Sequence, residues 1–216
     1  MEKSLLNGQK HEELEKRFLF DKVMRLESGV VCGIDEAGRG PLAGDVYAAA
    51  VVFDDDVFIE GLNDSKKLSE KRREELYDEI VAKAKAYCVA AASVDEIDSY
   101  NILQATFLAM KRSYEGLNMN IDLALVDGNR VPPLECNVKT VVKGDSVSAS
   151  IAAASILAKV SRDRYMKEIA EKYPQYQFEK HKGYGTKLHY EMLDKYGISD
   201  VHRLSFLKKY IKQHGE

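Results

Sequence analysis

The stretch VVCGIDEAGRGPLAGD, residues 30–45, runs from apolar side chains into two adjacent carboxylates, Asp35 and Glu36, and then breaks into Gly38-Arg39-Gly40. Successive side chains of a strand point to opposite faces, so the two acids share a site only where the strand ends and the backbone twists. The glycines allow that exit. Held close, two ionised carboxylates repel each other unless a cation lies between them. The plain alternative is a polar strand end leading into a solvated loop. Residues 30–35 and, beyond the loop, 46–53 are rich in β-branched and small apolar side chains, which predicts two strands, antiparallel neighbours in one sheet.

The pattern recurs downstream. Residues 121–126 and 138–142 are apolar runs that end at Asp127-Gly128-Asn129 and Lys143-Gly144-Asp145, and both read as buried strands with polar residues at their ends. Each acid alone is an ordinary turn residue. Asp35, Glu36, Asp127 and Asp145 together, all after apolar runs, predict an all-oxygen site at one edge of a sheet, suited to Mg²⁺ or Mn²⁺. No Cys/His grouping has zinc spacing. Two metals about 4 Å apart stabilise both the attacking and the leaving oxygen of an in-line displacement, so phosphodiester hydrolysis is the natural reaction.

The rest of the chain supplies helices. Residues 9–27 have mostly helical apolar spacing, which predicts an amphipathic helix before the first strand, an appendage to the core. Ser69 is the N-cap of a helix with Leu76, Ile80 and Ala84 on one face. Residues 88–93 read as a strand, 94–100 as a short acidic helix or turn, and 101–114 as a helix. Residues 146–173 are mostly helical, with an alanine-rich first half able to approach a sheet closely. Residues 179–185 read as a glycine-containing loop, and 186–196 and 204–212 as helices, the last one basic. The outcome is one α/β domain built on a mixed sheet.

The 216 residues, 45% hydrophobic and 31% charged, suffice for a substantial core. The net charge of −3 means that any polyanion must be bound by a local patch. Arg39, Lys66, Lys67, Lys143, Lys159, Arg162, Arg164, Lys180, Lys182 and Lys187 form one if they share a face; otherwise they are solvated surface charges. Cys32, Cys88 and Cys136, odd in number and widely spaced, are expected to be reduced core residues of a cytosolic protein. No apolar stretch has signal-peptide or membrane-span length. A soluble, cytoplasmic monomer is the expectation.

GIDEAGRGPLAG, GLNDSKKLSEKRREELYDEI, the Asn101-Ile102-Leu103 segment, VDGNR, VVKGDS with SIAAASILAKVSRDRYM after it, HKGYGT and HRLSF occur in this order. The set, spanning roughly residues 30–207, resembles bacterial ribonuclease HII, a type 2 ribonuclease H. The related ribonuclease HIII carries a sizeable extra N-terminal domain, for which residues 1–29 are too short. The resemblance implies a ribonuclease H-like fold, a central mixed β-sheet flanked by helices with additional C-terminal helices. It implies a catalytic domain over residues 30–216 behind an N-terminal helical extension, residues 1–29.

It also implies an endonuclease that hydrolyses the RNA strand of RNA–DNA hybrids and cuts 5′ of single ribonucleotides in duplex DNA. The products would carry 3′-OH and 5′-phosphate ends. Asp35, Glu36, Asp127 and Asp145 would hold two divalent ions, Mg²⁺ or Mn²⁺, with Asp35 bridging them, Glu36 and Asp127 completing one site and Asp145 the other. Gly38, Arg39, Gly40 and Tyr184 would read the junction between a ribonucleotide and the next deoxyribonucleotide. Bare glycine backbone can approach a sugar closely enough to bond its 2′-OH. Lys66, Lys143 and Thr186 would contact phosphate or orient the edge. Thr106, Lys67, Lys182, Arg203 and Ser205 are further candidates, and Asp163 is assigned to supporting structure. Asp45 and Tyr47 depart from the small or apolar residues usual after GPLAG. Two other classes compete. An actin-like ATP-binding protein shares G-I-D before a glycine turn but needs a second phosphate loop. A noncatalytic nucleic-acid-binding module leaves the four acids unexplained.

Overall fold

The computed structural model describes residues 2–214. Helix α1 (Glu2–Ser28) leads into strands β1 (Val31–Ala37) and β2 (Val46–Val52), then α2 (Glu70–Lys83), β3 (Ala86–Ala92), α3 (Val94–Tyr100) and α4 (Ile102–Glu115). Strands β4 (Leu123–Asp127) and β5 (Asn137–Val141) follow, then α5 (Ala149–Lys172), α6 (Phe178–His181), α7 (Lys187–Tyr196) and α8 (Lys208–His214). Short 3₁₀ turns at Ser65–Lys67 and Gly144–Ser146 precede α2 and α5. The sheet order is β3-β2-β1-β4-β5, antiparallel on the β3-β2-β1 side and parallel from β1 to β5.

Both sheet faces are covered, which explains the continuous apolar runs. Ala49 and Val51 face Ala152, Ala153 and Ile156 of α5, whereas Cys32, Ile34, Ala48 and Ala50 face Ala105 and Ala109 of α4. Small side chains on both partners bring α5 against the strands. At Gly33 even a methyl group would overlap the Ser150 and Ile151 backbone, so the first turn of α5 rests directly on β1. A third cluster, including Leu42, Met166, Phe178, Leu193 and Leu207, fastens the loop after β1 to the C-terminal helices.

Four expectations change, one of them at residues 179–185, which begin inside α6 rather than as a loop. The helix before β1 is no appendage, because Leu14 is buried in the main cluster and Met24 packs beside Val31 and Ile151. Strand β1 does not end at Asp35 but runs on to Ala37, so Asp35 and Glu36 both stand in the ladder opposite Ala49 and Ala48. The final helix starts at Lys208 rather than 204, because Asp98 accepts the Leu204 and Ser205 amides at 2.8 and 3.0 Å and holds them in a turn. Cys32, Cys88 and Cys136 are free thiols. Among the described residues no helix is long and apolar enough to cross a membrane.

Candidate active site

Strand β1 outruns β4. The last rung between them pairs Ile34 with Val126, so Asp35 and Glu36 lie just beyond it, beside Asp127 at the end of β4. Asp35 is 6% exposed, and its Oδ1 accepts the Glu36 amide at 2.7 Å. Asp127 Oδ1 accepts the Gly144 amide at 2.6 Å, tying the end of β4 to the turn that carries Asp145. Ser155 of α5 lies close enough to Asp35 to favour its ionised form, and its Oγ is 2.9 Å from Ser65 Oγ.

The electrostatics show convergence. Burial holds Asp35 well above the ordinary aspartate range, and the charges of Glu36 and Asp127 add to the shift. Burial raises Glu36, and Asp127 raises it further against the opposing Arg39. Burial raises Asp145, helped by Asp64 and Asp127. Asp127 is thus felt by all three other acids. Among the described residues no three acidic, histidine or cysteine side chains are already gathered round one cation position. The donor set nevertheless fits a hard divalent ion: carboxylate oxygens without thiols, with Asp35, Glu36 and Asp145 raised by burial and by their neighbours' charges, a conflict that a cation relieves. Asp64, Ser65 and Ser155 escaped the sequence reading. The only signal for them is their place in DSKK and in the alanine-rich run, which gives no hint of proximity to the acids.

The turn of Gly38-Arg39-Gly40 is built by two buried arginines. Arg203 sends Nε to Gly44 O at 2.8 Å, Nη1 to Arg39 O at 3.1 Å and Pro41 O at 2.9 Å, and Nη2 to Gly38 O at 2.7 Å and Gly44 O at 2.6 Å. Arg162 reaches Ala43 O, Asp45 O and Lys182 O, linking this turn to the HKGYG loop. Gly38 has φ +97°, and a Cβ there would overlap the Arg162 side chain. Tyr184 is 43% exposed, with its ring 5.8 Å from the Arg162 guanidinium. A Cβ built on Gly40 would lie 3.8 Å from the Tyr184 ring. The turn and the tyrosine therefore face each other beside the acids.

The remaining candidates separate. Lys66 is exposed and its charge acts on both Glu36 and Asp145. Lys67 and Lys143 are exposed, the latter with φ +55° at the start of the Asp145 turn. Thr186 caps α7 by accepting the His189 amide at 3.3 Å. Arg203 is fully buried, so it shapes the turn and does not meet solvent. Thr106 is buried on α4, where its hydroxyl donates to Ile102 O, and Ser205 bonds Asp98. Lys182 is half-buried behind the tyrosine loop, and its carbonyl accepts from Arg162.

The proposed basic patch thins out. Arg162 is buried, Lys159 pairs with Asp163 at 2.6 Å, Arg164 pairs with Glu74, and Lys187 lies 3.6 Å from Glu191. Asp163 is buried between Lys159 and Arg73, away from the four acids. Asp45 accepts the Val94 amide at 3.2 Å, and Tyr47 packs on Tyr165, ring centres 5.5 Å apart.

Three buried histidines hold the Tyr184 loop. His189 Nδ1 lies 3.0 Å from Tyr184 O and must donate to it, so its Nε2 accepts from His202 Nε2 at 3.0 Å. His202 Nδ1 then accepts from Ser199, and His181 Nδ1 accepts the Gly183 amide at 3.2 Å. This pattern assigns all three rings as neutral, and a further proton on any of them would meet an N–H. Burial lowers His189 and His202 to about 4 and lowers His181. The unfolded chain takes up protons at His189 and His202 below the ordinary value near 6.5, whereas the folded chain resists until about pH 4. The stabilisation from these two rings is therefore complete above pH 6.5 and is lost as pH falls toward 4, with a slope of up to about 1.4 kcal/mol per pH unit for each of the two. Amide exchange at Gly183 and Tyr184, corrected for its intrinsic pH dependence, should accelerate between pH 7 and pH 5. Unchanged protection would refute this assignment.

The chain is similar to known proteins over most of its length. A family model described as ribonuclease HII matches residues 32–209. A ribonuclease HII of Caldicellulosiruptor bescii is 59% identical over 178 residues, 82% of this chain and 86% of that protein. The crystal structure of the ribonuclease H2 from Pyrococcus horikoshii OT3 superposes with a TM-score of 0.71 at 27% identity, covering 85% of this chain and 98% of that one. A Bst ribonuclease HIII, solved in complex with Mn²⁺, shares the fold with a TM-score of 0.70 at 17% identity, covering 86% of this chain and 70% of that one.

Proposed function

Because the chain belongs to the ribonuclease HII family and is an endoribonuclease of the ribonuclease H type, we propose that it cuts duplex DNA on the 5′ side of embedded ribonucleotides. It cleaves the RNA strand of RNA–DNA hybrids by the same chemistry. The observation that carries the reading is the convergence of Asp35, Glu36, Asp127 and Asp145, with Asp127 acting on all three others, next to a glycine turn that faces Tyr184.

Asp35, Glu36 and Asp127 would hold one divalent ion, and Asp35 with Asp145 would hold a second; bound there, such ions would supply an activated water and neutralise charge on the reacting phosphate. The chain's own groups position the strand. The Gly38-Arg39-Gly40 backbone, exposed at Arg39 and Gly40, lies against the ribose, where it bonds the 2′-OH that DNA lacks, and Tyr184 stacks on the neighbouring sugar. Lys66 and Lys143 flank the edge and hold the phosphate, and Thr186 acts through the start of α7, keeping the tyrosine loop in place. Cleavage leaves 3′-OH and 5′-phosphate ends. The protein works as a cytoplasmic monomer, and residues 30–216 form the catalytic domain, with α1 bound to it.

Matched duplexes containing no, one or several ribonucleotides test the proposal. With Mg²⁺ or Mn²⁺ the protein should cut the last two and spare the first, and an intact single-ribonucleotide duplex would sink the proposal. Tyr184→Ala should lower cleavage at a single ribonucleotide by roughly tenfold or more, the loss of one stacking contact of about 1–3 kcal/mol, while uniform hybrids lose less. An equal loss on both substrates would remove Tyr184 from junction reading.

A further inference from the structure

Helix α1 precedes the matched residues 32–209, yet it buries two charged side chains, Arg17 at 4% exposed and Asp21 at 1%. Burying charge is costly unless the group is well bonded, and a helix serving only to cover the core needs neither. Their four-residue spacing puts both on one face, a turn apart. Each holds a different segment, Arg17 a loop and Asp21 the start of α5. Arg17 Nη1 donates to Leu62 O at 2.9 Å and Nη2 to Asn63 Oδ1 at 3.1 Å. That same oxygen accepts the Asp64 amide at 2.8 Å, and Asp64 Oδ1 accepts the Lys66 amide at 2.9 Å. The chain of bonds thus runs from α1 to two side chains that act on the acidic edge, Asp64 on Asp145 and Lys66 on Glu36 and Asp145.

One turn on, Asp21 Oδ2 accepts the Ser150 amide at 2.7 Å. Ser150 is the second residue of α5, and its N–H is one that a helix cannot satisfy internally. A carboxylate there also complements the helix dipole. This first turn rests on β1 at Gly33 and follows the 3₁₀ turn holding Asp145.

We propose that α1 is a brace for the acidic edge, with Arg17 and Asp21 as positioning residues. Arg17 sets the loop that carries Asp64 and Lys66, and Asp21 seats the start of α5 behind Asp145. The proposal rests on the reading of that edge as a metal-dependent catalytic site. Neither side chain meets substrate, so its effect is on geometry and not on duplex affinity.

The test compares full-length wild type with Arg17→Met, Asp21→Ala and Asp21→Asn. Amide exchange should quicken at Asp64–Lys66 in Arg17→Met and at Ser150 and Ile151 in Asp21→Ala, while the amides of β1 and β2 stay protected. Mn²⁺ binding to the free protein, followed by calorimetry, should weaken and the single-turnover rate should fall, each by about tenfold, as for supporting partners of metal ligands. KM for the duplex should stay within about twofold, because neither residue contributes uniform binding. Asp21→Asn, which keeps an acceptor for the Ser150 amide, should recover most of the loss. If an alanine or methionine variant does not fold, Arg17→Lys, which keeps the charge without the fork, carries the same expectations at Asp64–Lys66. Unchanged local exchange and metal binding would overturn the brace, as would a rate loss that merely follows the unfolded fraction. A wild-type protein that cleaves nothing would overturn the catalytic reading instead, whatever the exchange shows.

Discussion

Asp127→Asn should lower single-turnover cleavage by about three orders of magnitude or more, the scale of the several kcal/mol that a correctly held metal supplies, while duplex binding in Ca²⁺ should stay within a few-fold. The asymmetry follows from the position of this side chain. Asp127 is the carboxylate whose charge acts on Asp35, Glu36 and Asp145 together, so an amide there would remove one proposed ligand and lower the negative charge that would attract the ions. An asparagine oxygen can still accept the Gly144 amide, which preserves the link between β4 and the Asp145 turn. Removing one of four mutually repelling charges also relieves the others. The metal-free variant should therefore melt no lower than the metal-free wild type at neutral pH. A variant that cleaves at the wild-type rate would take Asp127 out of the site, and one that melts much lower would show that the aspartate is structural.

The second large effect is on folding. Arg203→Met should cost about 4–5 kcal/mol, because it strips a buried guanidinium from four carbonyl oxygens that then lack partners. For a chain of this size that corresponds to a melting point lower by roughly 10–15 °C. Burial brings the Arg203 pKa down only to about 9, so the group is charged at neutral pH and its hydrogen bonds are charge-assisted. Arg203→Lys should recover little, since an ammonium cannot span Gly38 O, Arg39 O, Pro41 O and Gly44 O as the planar fork does. In the folded fraction, preference for a single ribonucleotide should fall along with stability, because the carbonyls that Arg203 grips shape the Gly38-Arg39-Gly40 turn. A melting point within a few degrees of wild type would mean that Arg162 and the Leu42 cluster suffice to hold the turn.

The four acids were legible because each follows an apolar run long enough to be a strand, and such runs have few ways to pack. The strands around Ala48 and Val126 follow from β-branched and small residues alone, as does a close α5 from its alanines. Arg203 was not legible in the same way. In the sequence Arg203 is only a further candidate for the site, carried by HRLSF, and only the fold reveals the ring of carbonyls around it. Arg162 and Lys159 likewise read as members of a basic patch, but one is buried and the other is bound to Asp163. The histidines at 181, 189 and 202 carry no periodicity that would predict their mutual contact.

The sequence by itself determined the strands, the helices and which acids stand at strand ends, because those depend on local patterning and backbone preference. Tertiary structure decided what those ends meet. It carried β1 past β4 so that Asp35 and Glu36 come beside Asp127, set Asp64 and Lys66 against Asp145, and placed Tyr184 across from the glycine turn. It also bound α1 to the edge through Arg17 and Asp21. These contacts join residues separated by tens of positions, and some of their partners, such as Leu62 O and the Ser150 amide, are backbone groups common to every residue type, so no local pattern records them.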